Sequence, residues 1–407
     1  MNHPRLRPVE VFPVQEGGRE WICLRDPSGI AERPLFLDRH QFFFVSRMDG
    51  SNSLRDLQAD YCRATGDIVP MEQIEALARQ LDELHYLDSP EFRTYAARLA
   101  EEFRARTVRL ARHAGAAYPE APEELRRQLD GYFTPPDGPG PARGQGPPRL
   151  RGIIAPHIDF QRGGPTYAHA YKSVAEHADA DVFIVFGTCH NPMRRRFALT
   201  AKDFATPLGT VPADRGFVER LARDLQADVF EDEFAHRDEH SIEFQAVFLR
   251  YVFGDRKPVR MVPILVGSFQ GIHGRGGTPL ENPEVRAMVE ALRRTIGEAR
   301  ESCCLVAGAD LAHVGRRFGD AAGPTESMLQ EVERRDREFL ELVASGDAED
   351  AARAIAADDD RRRVCGYPPI YMLLHCLEQP RGKLLQYRQW ADFRAGAAVT
   401  FAALAVF

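Results

Sequence analysis

Four short apolar runs, at 152–155, 182–186, 261–266 and 303–306, constrain this chain more than any other feature. Each is a short, continuous apolar run of the kind that reads as a strand buried on both faces. Around them lie helical patterns near 213–226, 239–253, 283–299, 324–344 and 367–377. Alternation of this kind predicts an α/β body in which helices cover a central sheet.

Histidines fall where these predicted strands end. His157 follows the first run in Ala155-Pro156-His157. His190 closes Gly187-Thr188-Cys189-His190 after the second. Asp310 and His313 follow the last. Open α/β sheets bind ligands beyond the carboxyl ends of their strands. Neutral imidazoles suit Fe, Cu or Zn, and a carboxylate adds a charged oxygen. His157, His190 and Asp310 are therefore the candidate metal ligands. In extended backbone Asp310 and residue 312 share a face, which turns His313 the other way. The competing role for Asp310 is to cap a following turn or helix.

His240 lies in Glu239-His240-Ser241-Ile242-Glu243. On a helix it shares a face with Glu243, which could orient its ring and leave the other nitrogen for proton transfer. His240 is thus the candidate acid–base residue. The string His236-Arg237-Asp238-Glu239-His240 also fits the H-x-x-E-H pattern of inverted zinc peptidases, but that reading gives His157 and His190 no task. The stretch 271–277 lacks the Gly-Lys-Ser/Thr ending of a phosphate loop and reads as a surface loop. No G-x-S-x-G elbow is present. Arg194, Arg195 and Arg196 read as a solvated face.

The 407 residues leave room for a second module ahead of the body. Residues 1–95 read as two short strands (21–25 and 35–37) and three helices, capped by Asp38 and Ser53 and ending near Tyr86. That order predicts a small winged-helix-like domain, with Phe42, Phe43 and Phe44 as core. A helical connector is expected over 96–111 and the body over 112–407. Thr134 to Pro148, rich in Pro and Gly, reads as a loop.

A net charge of −7 argues against a broad nucleic-acid face. The apolar tract 395–407 is shorter than the ~20 residues a membrane span needs. Seven cysteines without a C-x-x-C pair, and no apolar signal segment, lead us to expect a reduced, cytoplasmic protein.

Several motifs in order carry a resemblance over 112–407. They are Ala114-Gly115, Tyr118-Pro119, Ala155-Pro156-His157, Gly164-Pro165-Thr166, Gly187 to His190 and Glu239 to Phe244. Val262 to Gly267, Asp310 with His313, Cys365-Gly366 and Tyr387 with Gln389 complete the order. The body resembles the Memo family, in particular the branch called AmmeMemoRadiSam system protein B. That resemblance implies a fold similar to class III extradiol dioxygenases, which hold a non-haem iron with two histidines and a carboxylate. In the Memo family the metal-site residues are two histidines and a cysteine. His157 and His190 match the histidines, and His240 matches a nearby acid–base histidine. The third ligand position falls at Ala312, which cannot ligate a metal. The resemblance therefore leaves two expectations, a metal-dependent redox enzyme or a non-catalytic binding protein. It also implies a radical-SAM protein and an AMMECR-type protein as partners. The front module resembles PqqD-like domains, through Leu37-Asp38, Asp49-Gly50 and the helix ending near Leu84 and Leu87, which implies a peptide ligand.

Overall fold

The computed structural model describes residues 2–144, 150–225, 227–254, 256–272 and 277–407. The parts 145–148 and 273–276 of the two expected loops lie outside the described residues. The chain divides into two compact units, Met1–Ala105 and Arg106–Phe407.

The first unit contains β1 (Glu10–Glu16), β2 (Arg19–Arg25), β3 (Leu35–Leu37), α1 (Arg39–Val45), α2 (Leu54–Thr65), α3 (Met71–Glu83) and α4 (Pro90–Ala105). The strands form an antiparallel sheet in the order β1-β2-β3. Asp38 and Ser53 each close a capping box, with Gln41 and Asp56, satisfying backbone donors that the first helical turn leaves unpaired. Leu24, Leu37, Phe44, Leu57, Leu77 and Leu81 build its core, with Phe42 and Phe43 packed against it. Two features exceed the sequence reading. β1 was not expected, because Pro13 and flanking Glu residues hide its alternation. α4 is part of this unit rather than a connector. His85 stacks on Tyr95 with ring centroids 4.0 Å apart, and the Arg7 guanidinium lies 3.9 Å from the Phe92 ring centre.

The second unit begins with β4 (Val108–Arg109), α5 (Pro122–Tyr132), β5 (Gly152–Ala155), α6 (Phe160–His177), β6 (Val182–Thr188), β7 (Phe197–Leu199), β8 (Asp203–Thr206) and β9 (Gly209–Val211). It continues through α7 (Arg215–Asp224), α8 (His240–Phe253), β10 (Arg260–Val266), α9 (Pro283–Glu298), β11 (Cys303–Gly308) and β12 (Asp310–Val314). It ends with α10 (Glu326–Ser345), α11 (Ala348–Ala356), α12 (Tyr367–Cys376), β13 (Gly382–Asp392) and β14 (Ala397–Val406).

Its main sheet runs β12-β14-β5-β11-β6-β10-β7, with β13 paired to β14. β5, β11, β6 and β10 are parallel. Successive side chains of these strands enter two different cores. Val182, Ile184 and Phe186 of β6 pack with residues of α9 and α12. Phe183 and Val185 pack with residues of α6 and α8. Burial on both faces is why these strands lack a polar alternation. Together the observed elements make a mixed α/β protein. Among the described residues no helix is long and apolar enough to cross a membrane.

Candidate metal centre

Parallel β5, β11 and β6 lie side by side, so their carboxyl ends open onto one rim. His157 leaves β5 there and His190 leaves β6. α8 begins at the same rim, with His240 as its first residue. Its seating depends on two glycines. A Cβ on Gly187 would lie 2.5 Å from Ile242 Cγ1, and one on Gly308 would lie 2.8 Å from the Ser241 carbonyl. Ser241 Oγ then donates to the Thr188 carbonyl at 2.7 Å, joining α8 to the end of β6.

One ring nitrogen from each of His157, His190 and His240 lies within 4.8 Å of those of the other two. The His190 and His240 rings stack at 4.9 Å, and His157 stands edge-on to both. Oxygen acceptors fix the tautomers. His157 Nδ1 donates to the Gly308 carbonyl at 2.9 Å. His190 Nδ1 donates to Glu239 Oε2 at 3.1 Å, and His240 Nδ1 lies 3.2 Å from Glu239 Oε1. Since carbonyls and carboxylates only accept, the neutral His157 and His190 rings keep their Nε2 lone pairs for a ligand role. Burial holds His157 below the ordinary imidazole pKa, and holds His240 well below it. Burial alone would raise the Glu239 carboxyl, but neighbouring His190 and His240 draw it well below the usual range.

Glu239, not Glu243, therefore orients His240. Glu243 is turned into a separate buried network. It accepts from Arg109, from the Tyr118 hydroxyl, and from the His113 N–H at 3.0 Å. Arg109 also donates to the carbonyls of His236 and Glu239, at 2.9 and 2.8 Å, and so fixes the turn before α8. His236 points elsewhere, with Nε2 bonded to the Ala198 carbonyl at 2.9 Å. It is absent from the histidine group, which removes the basis of the inverted-peptidase pattern.

Asp310 reaches the rim in a supporting place. Its Oδ1 accepts the N–H groups of His157 and Ile158, at 2.9 and 3.1 Å, while Oδ2 lies 3.6 Å from His157 Nε2. Simple alternation from Asp310 to residue 312 fails, because the pairing of β12 with β14 shifts register between Asp310 and His313. At this bulge the Ala312 N–H is satisfied by Thr400 Oγ1 at 2.8 Å. Ala312 packs with Val314, Val332 and Ala398. Residue 312 is thus in an apolar cluster and is no ligand position.

A thiol comes instead from Cys365, whose Sγ lies 3.3 Å from His157 Nε2. Gly366 makes this possible. Its N–H donates to the Asp310 carbonyl at 3.0 Å, and a Cβ there would lie 2.2 Å from that oxygen. Burial first, then the nearby Asp310 charge, pushes the Cys365 thiol well above its ordinary range. Cys365 and Glu239 are the two residues whose roles the sequence reading missed. The isolated Cys-Gly before the helix-starting Pro368-Pro369 was the available signal for the first.

Beside this group opens a cleft of about 360 Å³, lined in part by Thr188, His190, Phe269, Asp360, Cys365 and Tyr367. A larger hollow near Phe133, Tyr251 and Arg256 touches none of the three histidines. Arg194 and Arg195, expected as a solvated face, pair with Glu231.

The donor set suits a transition metal. Imidazole and thiol are ligand types of Fe, Cu and Zn sites. The three imidazoles converge, the Cys365 thiol lies against His157, and His157 and His190 are held through their far nitrogens. Fold and site together define an α/β protein with an imidazole–thiol pocket at the ends of its parallel strands.

The chain belongs to the Memo-like protein family, whose model matches residues 109–405. A MEMO1 family protein of Aquifex aeolicus is 28% identical over 399 residues, covering 97% of this chain and 98% of that protein. One from Thermus thermophilus is 28% identical over 342 residues, covering 84% and 94%. A solved structure, the uncharacterized protein JW3007 from Escherichia coli K12, covers 63% of this chain and 99% of its own. Its TM-score is 0.37 at 13% identity.

Proposed function

We propose that this protein is a metal-dependent redox enzyme, related to the non-haem iron dioxygenases, acting on a small molecule. His157, His190 and His240 would hold one Fe, Cu or Zn ion, with the Cys365 thiolate beside them. When bound, such an ion supplies Lewis acidity, and Fe or Cu also supplies a change of oxidation state. The observation that carries this reading is the convergence of three imidazoles, two of them with Nδ1 bonded to an oxygen acceptor and the third with Nδ1 beside the Glu239 carboxylate.

The chain's own groups divide the work. Glu239 orients His190 and His240. Asp310 fixes the backbone that carries His157. Burial keeps His157 and His240 neutral, which is the form that ligates. His240 can instead exchange a proton with a substrate through Nε2, as the family resemblance implies, if the ion is held by the other donors. The cleft is near the lower end of small-molecule sites in volume, which favours a compact substrate over a folded protein. A non-catalytic binding protein was the expectation that followed from Ala312. That ground falls away once Ala312 lies in the apolar cluster.

The test is metal content after purification without chelator. About one ion per chain is expected in the wild type and a large loss in His157→Ala/His190→Ala. No content, together with no binding of added Fe, Cu or Zn, would overturn the reading.

For the first unit we propose a PqqD-like, winged-helix role in peptide capture within a cytoplasmic assembly containing a radical-SAM and an AMMECR-type protein. Its support is the resemblance and the position of β1 at a sheet edge, where an added peptide strand can pair. Pull-down of a radical-SAM partner by the full chain, lost on changing Phe12 and Val14 of β1 to proline, would uphold it. Retention by that variant would count against it.

A further inference from the structure

Three positions before Cys365 the chain buries an arginine. Arg362 Nη1 donates to Asp336 Oδ1 at 2.5 Å, and the two side chains are 8% and 0% exposed. Asp336 lies on α10. Its other oxygen accepts from Thr400 Oγ1 at 2.5 Å and from the Tyr387 hydroxyl at 3.0 Å. Thr400 is the residue whose hydroxyl also receives the Ala312 N–H in the β12 bulge. Arg362 Nε donates to Asp358 Oδ2 at 3.1 Å, and its carbonyl accepts the His313 N–H at 2.6 Å. One carboxylate thus ties α10, β13, β14 and the 358–365 segment together.

That segment needs an external hold. Asp359, Asp360 and Arg363 have φ of 54°, 50° and 51°, a left-handed conformation that residues with side chains seldom adopt. A buried ion pair is a poor source of net stability, since desolvation offsets most of the attraction. Its clearer effect is to select one arrangement of the groups it joins.

We infer that Asp336 is a positioning residue for Cys365, acting through Arg362 to hold the thiol against the histidine group. The inference rests on the metal reading above. Asp336 touches neither the cleft nor any of the imidazoles, so its effect is carried by where it places Cys365.

Cobalt(II) added to the full-length protein tests this. Wild type should show a near-ultraviolet thiolate-to-cobalt band, and Cys365→Ser should lose it. Asp336→Asn, folded by circular dichroism, should lose about half the band or more and bind cobalt about tenfold more weakly, the effect typical of an outer partner. If Asp336→Asn does not fold, Arg362→Lys decides, because it leaves the buried carboxylate a charged partner but not the guanidinium fork. A folded variant with lower thermal stability but wild-type band and affinity overturns the inference, since the pair would then be structural only. A wild type without any thiolate band overturns the metal reading, and this inference with it. That result is seen before any Asp336 variant is made, so the two failures are distinct.

Discussion

The Cys365 thiol lies 3.3 Å from Nε2 of His157, although the two residues are 208 positions apart in the chain. His157 is delivered by the end of β5 and Cys365 by the turn before α12. Gly366 joins the two by resting on the Asp310 carbonyl. This contact supplies the thiol that alignment by position alone would have sought at 312.

Removing the thiol should therefore matter and restoring it at 312 should not. Cys365→Ser is expected to weaken zinc binding by more than about 100-fold, beyond the cost of losing an outer partner. Ala312→Cys should leave zinc affinity near wild type. It should instead lower stability by about 1–3 kcal/mol through overpacking against Val314, Val332 and Ala398. Competition titration with a chromophoric chelator and thermal denaturation measure the two effects.

Glu239 holds two rings at once, so its loss should act on both. Glu239→Gln keeps the shape, but its amide can accept through only one atom. Metal affinity should fall about 10- to 100-fold, with little change in fold. Calorimetric titration reads this, and unchanged affinity would remove Glu239 from the site.

Metal binding should strengthen as pH rises. The Cys365 thiol is raised by burial and by Asp310, so at neutral pH it is protonated and must release its proton to ligate. One proton released per ion gives about a tenfold gain in affinity per pH unit below the thiol pKa. In Cys365→Ser the slope should flatten. Affinity measured between pH 6 and 8 in both proteins provides the comparison.

His236 predicts a stability effect without a metal effect. It is fully buried, and burial pushes its pKa down to about 3, against about 6.5 in an unfolded chain. Between those values the unfolded state takes up a proton that the native state refuses. Stability should thus fall with falling pH, by about 1 kcal/mol per unit from this group. His236→Gln should shrink that slope and leave metal content unchanged. A loss of metal in this variant would restore the peptidase pattern.

The strands of the main sheet were legible because burial on both faces writes itself as continuous apolar runs. Their ends correctly located His157 and His190 on one rim. What escaped was set by contacts between distant segments or by local exceptions. α6 carries Gly163, Gly164 and Pro165 inside a helix, residues that by local rules end one. The β12 bulge displaced the two-residue alternation used for Asp310. Helical spacing pointed to Glu243, but α8 starts at His240, so Glu239 caps the helix from outside and faces the rings. Cys365 reaches the site only through tertiary packing on Asp310, which no spacing rule encodes.

X-ray absorption on the zinc-loaded, full-length protein tests the central claim most directly. The account predicts nitrogen scatterers at about 2.0–2.1 Å and one sulfur at about 2.3 Å, with the sulfur shell lost in Cys365→Ser and imidazole scattering reduced in His190→Ala. A shell of oxygen and water alone, unchanged in both variants, would contradict it.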